Sequence, residues 1–481
     1  MEQLRPVRLR NYIAYAFGEF YGGGSFIVIS LLFIYFLTDV VGLSPSLAGL
    51  VVLIGKGWDA VSDPIMGYIS DNMKTRFGRR RIFFLIGVVP VALTFLMLWI
   101  EFRFDNEFYT FLYYAFSYVL FSTVFTMVMI PYRALNAEMS PEYTVRTKLT
   151  GAKMIISQIS SLLAGTLPKI IIDRLYAGNP GKGFLVMGVA FSLLYSLPWI
   201  VVFLGTWELK LPEGEEKTGI SFWKGLSSLM VNRSFRIHMG LYIAAYSAMD
   251  LLMAMFIYYL TYYLDKSGIY SLCLGVMFIT NMLMLPVYVF IANKKGKGFA
   301  YNIGLAVWFS AMALSTLLTP ATPTWAMAAF SFMIGLGMSA GVLMPWAILP
   351  SLVDVDELIT GKQRAGFCSG AMTLIRKLVQ ALTLFVFGVL LDLIGYVPKV
   401  TQTPDTLFWL KMLFFVAPGA CIILGIFFGS KFRITPATHG VLKEELERLR
   451  SGGDRSAVSA EARNICELLT GLEYGKLFPR K

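Results

Sequence analysis

Three charged side chains stand inside an apolar run that should exclude them. The segment GLVVLIGKGWDAVSDPIMGYISDN carries Lys56, Asp59 and Asp63. Their spacing of i, i+3 and i+7 puts all three on one face of a helix. The two aspartates are one turn apart, about 6 Å along the axis at 1.5 Å per residue. An ionised Asp at the centre of a bilayer costs about 2.5–3.5 kcal/mol, and a second beside it adds repulsion. A shared small cation or a shared proton resolves both costs. Hard oxygen ligands point to Na⁺, Li⁺ or H⁺ rather than to a transition metal. Pro64 has no N–H for the carbonyl of Ala60, which frees one further oxygen near the pair. The alternative is structural: Lys56 pairs with one aspartate, and the other faces a water-filled mouth.

Other ions sit in apolar surroundings. GAMTLIRKLVQALTLFVFGVLLDLIG holds Arg376 and Lys377 side by side, about 100° apart on a helix, so only one of them can face a central cavity squarely. Lys153, Asp250 and Glu19 are each an intramembrane charge, and each is therefore a site candidate or half of a structural pair. Glu19 opens the segment GEFYGGG, whose glycines permit a neighbouring helix or a ligand to come close.

The elements that must position these residues follow from composition. Of 481 residues, 56% are hydrophobic and 15% charged, which excludes a disordered chain, a disulfide-framework miniprotein and most soluble enzymes. At ~20 residues per crossing, half of the chain suffices for about twelve spans. Apolar stretches fall at 12–38, 46–70, 82–100, 108–131, 149–172 and 183–207, and then at 236–264, 269–292, 299–318, 324–349, 367–395 and 408–430. They are called spans one to twelve below. The domain reading is a six-helix bundle over 1–208, a linker over 209–235, a second six-helix bundle over 236–430 and a polar tail over 431–481. The first stretch is too long for a signal-peptide core and lacks a small-residue cleavage site, so it reads as a span.

The net charge of +12 would hint at nucleic acid in a soluble protein. Here most Lys and Arg fall in the N-terminus, the even-numbered loops and the tail, and few in the odd-numbered loops. That is the positive-inside pattern, and it puts both termini in the cytoplasm of a multi-pass plasma (inner) membrane protein. The four cysteines, Cys273, Cys368, Cys421 and Cys466, form no C-x-x-C, and only His238 and His439 accompany them. No zinc site, disulfide framework or cofactor is expected. With no nucleophile–base constellation and no phosphate loop, neither is an enzyme. Two bundles with a midplane site are the architecture of many secondary transporters.

The segment WDAVSDPIMGYISDNMKTRFGRRR resembles the span-two signature of the glycoside–pentoside–hexuronide:cation symporters, a melibiose-permease-like family of the major facilitator superfamily. LTDVVGL after span one, MIPYRAL after span four, LVDVDELITGKQRAG before span eleven and LIGYVPKV after it extend the resemblance over residues 12 to 430. It implies an all-α major-facilitator fold of twelve transmembrane helices in two six-helix bundles. Asp59 and Asp63 match the family's cation-binding aspartates, Lys377 its span-eleven lysine, and Thr126 the threonine that joins the cation site. Ser62 replaces an asparagine, and its hydroxyl can still ligate Na⁺. Gly67, Asp71, Gly78, Arg79 and Arg80 are similar to the superfamily's gating loop, in which the arginines pair with the acid and with helix ends.

Gly23 and Met129 stand where the family's sugar-gripping carboxylates would be, with Glu19 one turn before Gly23. Lys153 favours an anionic solute such as a hexuronide. Lys56, Met129 and Asp250 complete the candidates for solute binding or coupling, and Asp354, Glu357 and Arg364 are candidates for a cytoplasmic gate network. The expected function is cation-coupled symport of a sugar-like solute by alternating access, in a monomer whose partners are the solute, a monovalent cation and the bilayer. Two alternatives stand beside it: a sodium-coupled lysolipid or amphiphile carrier, and a non-transporting receptor on a carrier fold.

Overall fold

Long runs of Leu, Ile, Val, Phe and Met without polar punctuation satisfy their backbone hydrogen bonds within themselves, so this sequence folds as helices. The computed structural model describes residues 7–73, 75–140, 143–175, 178–208, 222–362, 364–398 and 400–478. Among the described residues there is no β-strand. Helices occupy each of the twelve expected stretches. Span one is Leu9–Val41, span two Pro45–Asn72, span three Arg81–Met97, span four Glu107–Met139, span five Tyr143–Ile170 and span six Pro180–Gly205. Span seven is Arg233–Tyr263, span eight Tyr270–Lys295, span nine Lys297–Leu314, span ten Thr324–Thr360, span eleven Ala365–Leu393 and span twelve Pro404–Lys431. Ten helices of the described chain are long and apolar enough to cross a membrane. Span three is shorter, and span two carries the charges.

Sequence punctuation explains the ends. Pro45 and Pro180 sit in the first turns of spans two and six, where a missing N–H costs nothing. Gly42, at φ +89°, ends span one in a left-handed conformation. Three spans close on π-helical turns: Phe36–Val41, Ile171–Leu175 and Tyr259–Tyr263. Such turns insert one residue into the helical ladder and re-aim the side chains they carry.

The chain divides into two compact units. The first gathers spans one to six with Met253–Phe278 and Gln380–Lys411; the second gathers Glu216–Leu252, which holds the larger part of span seven, with Ile279–Val379 and Met412–Lys481. In the first unit, span two packs along span four and span one along span five. The glycines of GEFYGGG make the latter contact, because a Cβ on Gly23 would come within 2.9 Å of the Cα of Ser157. The core of this unit is aromatic, with Tyr21, Trp99, Tyr118, Tyr132, Tyr195 and Trp199 fully buried.

In the second unit, spans nine and ten pack closely. The tail is ordered there: Pro436–Arg450 and Ala460–Thr470 are helices docked on span ten. The amphipathic piece VLKEELERLR buries Leu442, Leu446 and Leu449.

Candidate functional site

Span two packs closely on span four at residue 55, a glycine whose missing side chain admits the ring of Tyr118. One turn further on, Asp59 is fully buried, with Ser62 and Thr126 almost so and Asp63 partly exposed. The Thr126 hydroxyl joins them. Its Oγ1 lies 3.0 Å from Asp59 Oδ1, 2.9 Å from Asp63 Oδ1 and 3.2 Å from Ser62 Oγ. The Ser62 hydroxyl also donates to the Asp59 carbonyl at 3.2 Å.

Proton counting shows what this cluster can do. A threonine hydroxyl carries one hydrogen, yet two carboxylates hold hydrogen-bonding distance to it. One hydrogen cannot make two full hydrogen bonds at once, so this hydroxyl is shared between the two carboxylates. Three side-chain oxygens thus lie within 3.2 Å of a fourth, Thr126 Oγ1, with no sulfur or imidazole among them. That donor set fits a hard monovalent cation or a proton. Lys56, a turn before Asp59, is buried with its ammonium 3.2 Å from the centre of the Phe26 ring. A cation over a ring face is held by the ring's quadrupole and by charge partners nearby. Two further hydroxyls, Tyr118 and Ser122, lie two turns and one turn before Thr126 on span four; both are buried, with no hydrogen-bond partner for the oxygen among the described residues. The sequence singled out neither, although their spacing from Thr126 is the helical period.

The other candidates are distributed as follows. Glu19 and Lys153 form an ion pair at 3.0 Å between spans one and five, with Lys153 also 5.5 Å from the Tyr132 ring centre. Met129 lies beside them, its Cε 2.5 Å from where a Cβ on Gly22 would be. In the second unit Asp250 and Arg376 pair at 2.7 Å, and Arg376 also stacks 4.9 Å from the Tyr246 ring centre. The Tyr246 hydroxyl accepts from the Trp346 indole at 2.9 Å. Of the adjacent cations, Arg376 pairs with Asp250, and Lys377 next to it is half-buried.

The loop candidates behave differently from the expectation of shared networks. Arg79 and Arg80 both reach Glu138 at the end of span four, at 2.7 and 2.6 Å. The side chain of Asp71 lies outside the described residues. The amides of Arg79, Arg80 and Arg81 all donate to the Glu208 carboxylate, at 2.9, 2.9 and 2.6 Å. Gly78, at φ +103°, makes the turn that aims them. Glu208 therefore caps span three, a role invisible to a reading that looked only for intramembrane charge.

Asp354, Glu357 and Arg364 do not form one cluster. Arg364 pairs with Asp356 at 2.7 Å, and these hydrogen bonds raise its pKa above the ordinary arginine value. Glu357 holds Arg450 of the tail through two hydrogen bonds of 2.8 and 2.6 Å. Asp354 meets His439 of the tail at 2.8 Å. The separation has a geometric cause. On one helix Asp354 and Glu357 lie about 60° apart, on the face that meets His439 and Arg450 of the tail, whereas Asp356 is turned about 100° from Glu357 and about 160° from Asp354, toward Arg364. Each acid therefore finds its own base.

Comparison with known proteins completes the description. A family model described as "MFS/sugar transport protein" matches residues 14–436. An uncharacterized symporter of Synechocystis sp. is 27% identical, over 90% of this chain and 96% of its own length. A Salmonella typhimurium protein assigned as a sulfoquinovose importer is 25% identical, over 95% and 96%. The sodium-dependent lysophosphatidylcholine symporter 1 of Xenopus tropicalis is 24% identical, over 89% and 87%. Among solved structures, the nucleoside transporter NupG superposes with a TM-score of 0.59 at 14% identity, covering 90% of this chain and all of that one. At that identity the likeness concerns the fold alone.

Proposed function

Because the chain belongs to the MFS/sugar transport protein family and is a multi-pass secondary transporter rather than an enzyme, we propose that Asp59, Asp63, Ser62 and Thr126 bind the coupling cation for symport of a sugar-like solute. The observation that carries this reading is the single Thr126 hydroxyl set between two carboxylates. A Na⁺ among these oxygens would cancel one of the two carboxylate charges and ease the repulsion between them. The sodium-dependent relative supports a coupling ion of this kind.

The Glu19–Lys153 pair is the candidate solute contact, as it offers a hydroxyl acceptor and an anion partner on adjoining helices. The relative assigned as a sulfoquinovose importer is consistent with an anionic sugar. The six-span bundles over 1–208 and 236–430 would move about this site, and the charge pattern puts both termini on the cytoplasmic side. The empty carrier and the doubly loaded carrier reorient. The half-loaded one carries uncompensated charge into the closed state and does not. The cation gradient drives accumulation, aided by about 2.3 kcal/mol per charge per 100 mV of membrane potential.

The test is uptake into proteoliposomes of a panel of glycosides, pentosides, hexuronides and lysophosphatidylcholine, with and without a sodium gradient. Gradient-dependent accumulation of a sugar that Asp63→Asn abolishes is the expected result. Accumulation of lysophosphatidylcholine alone would move the solute to the amphiphile class. Sodium-dependent uptake that survives Asp63→Asn would overturn the site.

A further inference from the structure

Two motifs quoted from the sequence, LTDVVGL at the end of span one and LIGYVPKV after span eleven, take no part in the cation or solute chemistry above. The structure brings them together inside the first unit. Asp39 is 5% exposed and rides on the π-helical turn Phe36–Val41. Its carboxylate accepts from the Thr38 hydroxyl at 2.6 Å and from the Tyr396 phenol at 2.7 Å. It also accepts from the phenol of Tyr262, which sits on the π-helical turn Tyr259–Tyr263. The Thr38 hydroxyl is 3.0 Å from that of Tyr258. The phenol rings close around this point edge to face, Tyr396 standing 5.3 Å from Tyr258 and 5.2 Å from Tyr262.

The carboxylate thus comes from the first half of the chain and its phenol donors from the second. A buried carboxylate is a poor way to add stability, since apolar groups of the same volume commonly do as well. It is a good way to make a closure that reopens. Separating an apolar seal exposes its whole area to water, whereas separated phenols and carboxylate recover hydrogen bonds from water. The π-helical turns that carry Asp39 and Tyr262 aim both groups at the same point, and such turns mark functional positions in other helices.

We propose that Asp39, held by Tyr262 and Tyr396, is the latch that closes the external mouth of this carrier and must release before it opens outward. The inference rests on the symporter reading and on the orientation proposed with it. Asp39 is a positioning residue, since it fixes the ends of spans one, seven and eleven without touching cation or solute.

The experiment reads opening directly. Thr166 of span five is packed against the start of span eight, where Ser271 donates to its carbonyl at 3.0 Å and a Cβ on Gly275 would lie 3.4 Å from its methyl. In full-length reconstituted protein with Cys273, Cys368, Cys421 and Cys466 changed to Ser, Thr166→Cys is labelled from outside with a membrane-impermeant maleimide. Where the native cysteines must stay, the labelling of the same protein without Thr166→Cys is subtracted. Asp39→Asn should speed labelling about tenfold, as charge-assisted hydrogen bonds become neutral ones. The Tyr262→Phe/Tyr396→Phe double variant, which keeps the carboxylate, should act in the same direction, and Asp39→Glu should return most of the protection. Unchanged labelling in variants that run as a single gel-filtration peak overturns the latch. So does acceleration that merely follows the loss of Tm across unrelated variants. Labelling that responds while no solute is ever accumulated would sink the symporter reading and leave the latch standing.

Discussion

Replacing Thr126 by Val keeps the shape of the side chain and removes one oxygen. That oxygen is 3.0 Å from one carboxylate and 2.9 Å from the other, so the two carboxylate oxygens lie no farther apart than those distances joined end to end. Two ionised groups about 6 Å apart repel by about 3 kcal/mol at an effective dielectric constant of ~20. A cation bound as proposed would relieve that repulsion in the wild type and in the variant alike. What the variant loses is one oxygen ligand and one hydrogen bond to a charged group, about 1.5–3 kcal/mol. At 1.4 kcal/mol per decade, half-saturation by the coupling cation should move up by ~10- to 100-fold. Solute uptake at saturating cation should stay within about twofold, because the barrier to reorientation does not involve this oxygen. The assay is initial solute uptake by proteoliposomes over a wide range of sodium concentration. Thr126→Ser restores the oxygen and should recover most of the affinity. A Thr126→Val protein whose half-saturation equals that of the wild type would refute the reasoning, since the ion could then not be using this oxygen.

Other outcomes follow from the same geometry. Asp63→Asn should leave any residual solute flux equal with and without a sodium gradient; a preserved difference would show that the second carboxylate is not needed. Lys153→Met strands the buried Glu19, so it should lower Tm by more than the double change with Glu19→Gln does, and equal shifts would mean that the pair is uncoupled. Glu208→Ala leaves three amides at the start of span three without their acceptor and should cost about 1–3 kcal/mol in denaturant midpoint at constant slope.

The tail gives a pH prediction. Burial pushes the Glu445 carboxyl up, but hydrogen bonds from Arg448 and Tyr474 and the Arg448 charge outweigh it, so the group ends below its ordinary value. A depressed carboxyl contributes stability above its unfolded value, ~4.3, and loses it as pH falls through the folded value. Protease release of the tail should therefore be slow at neutral pH and accelerate below about pH 4, and Glu445→Gln should flatten the profile.

The span-two part of the oxygen cluster around Thr126 was legible in the sequence because it is local. Asp59, Ser62 and Asp63 share one helix face, and a periodic reading sees faces. Thr126 is 63 residues from Asp63, and it entered only through family resemblance, since no spacing rule links two helices. The partners that went unseen share this property. Glu138 and Glu208 for the arginine loop, and His439 and Arg450 for the acids of span ten, are remote in sequence and ordinary in type. The tail read as polar because only three leucines of VLKEELERLR face inward, enough to dock a helix on span ten but too few to stand out in composition. Asp39 was visible as part of a motif, yet its phenol partners come from two other places in the chain, and only the folded backbone puts them in reach.

Glu208 has a consequence for anyone who wishes to cut this protein in two. It is the residue at which the first six helices hand over to the connecting segment, and its carboxylate is anchored to the amides beginning the third. A fragment ending even one residue early would present a helix start with three unanswered donors beside a run of arginines, an invitation to stray anions or to aggregation. A break anywhere from 209 to 221 keeps the acid with the amides it serves. Co-expressed pieces joined at such a point should assemble, whereas pieces split before it should not.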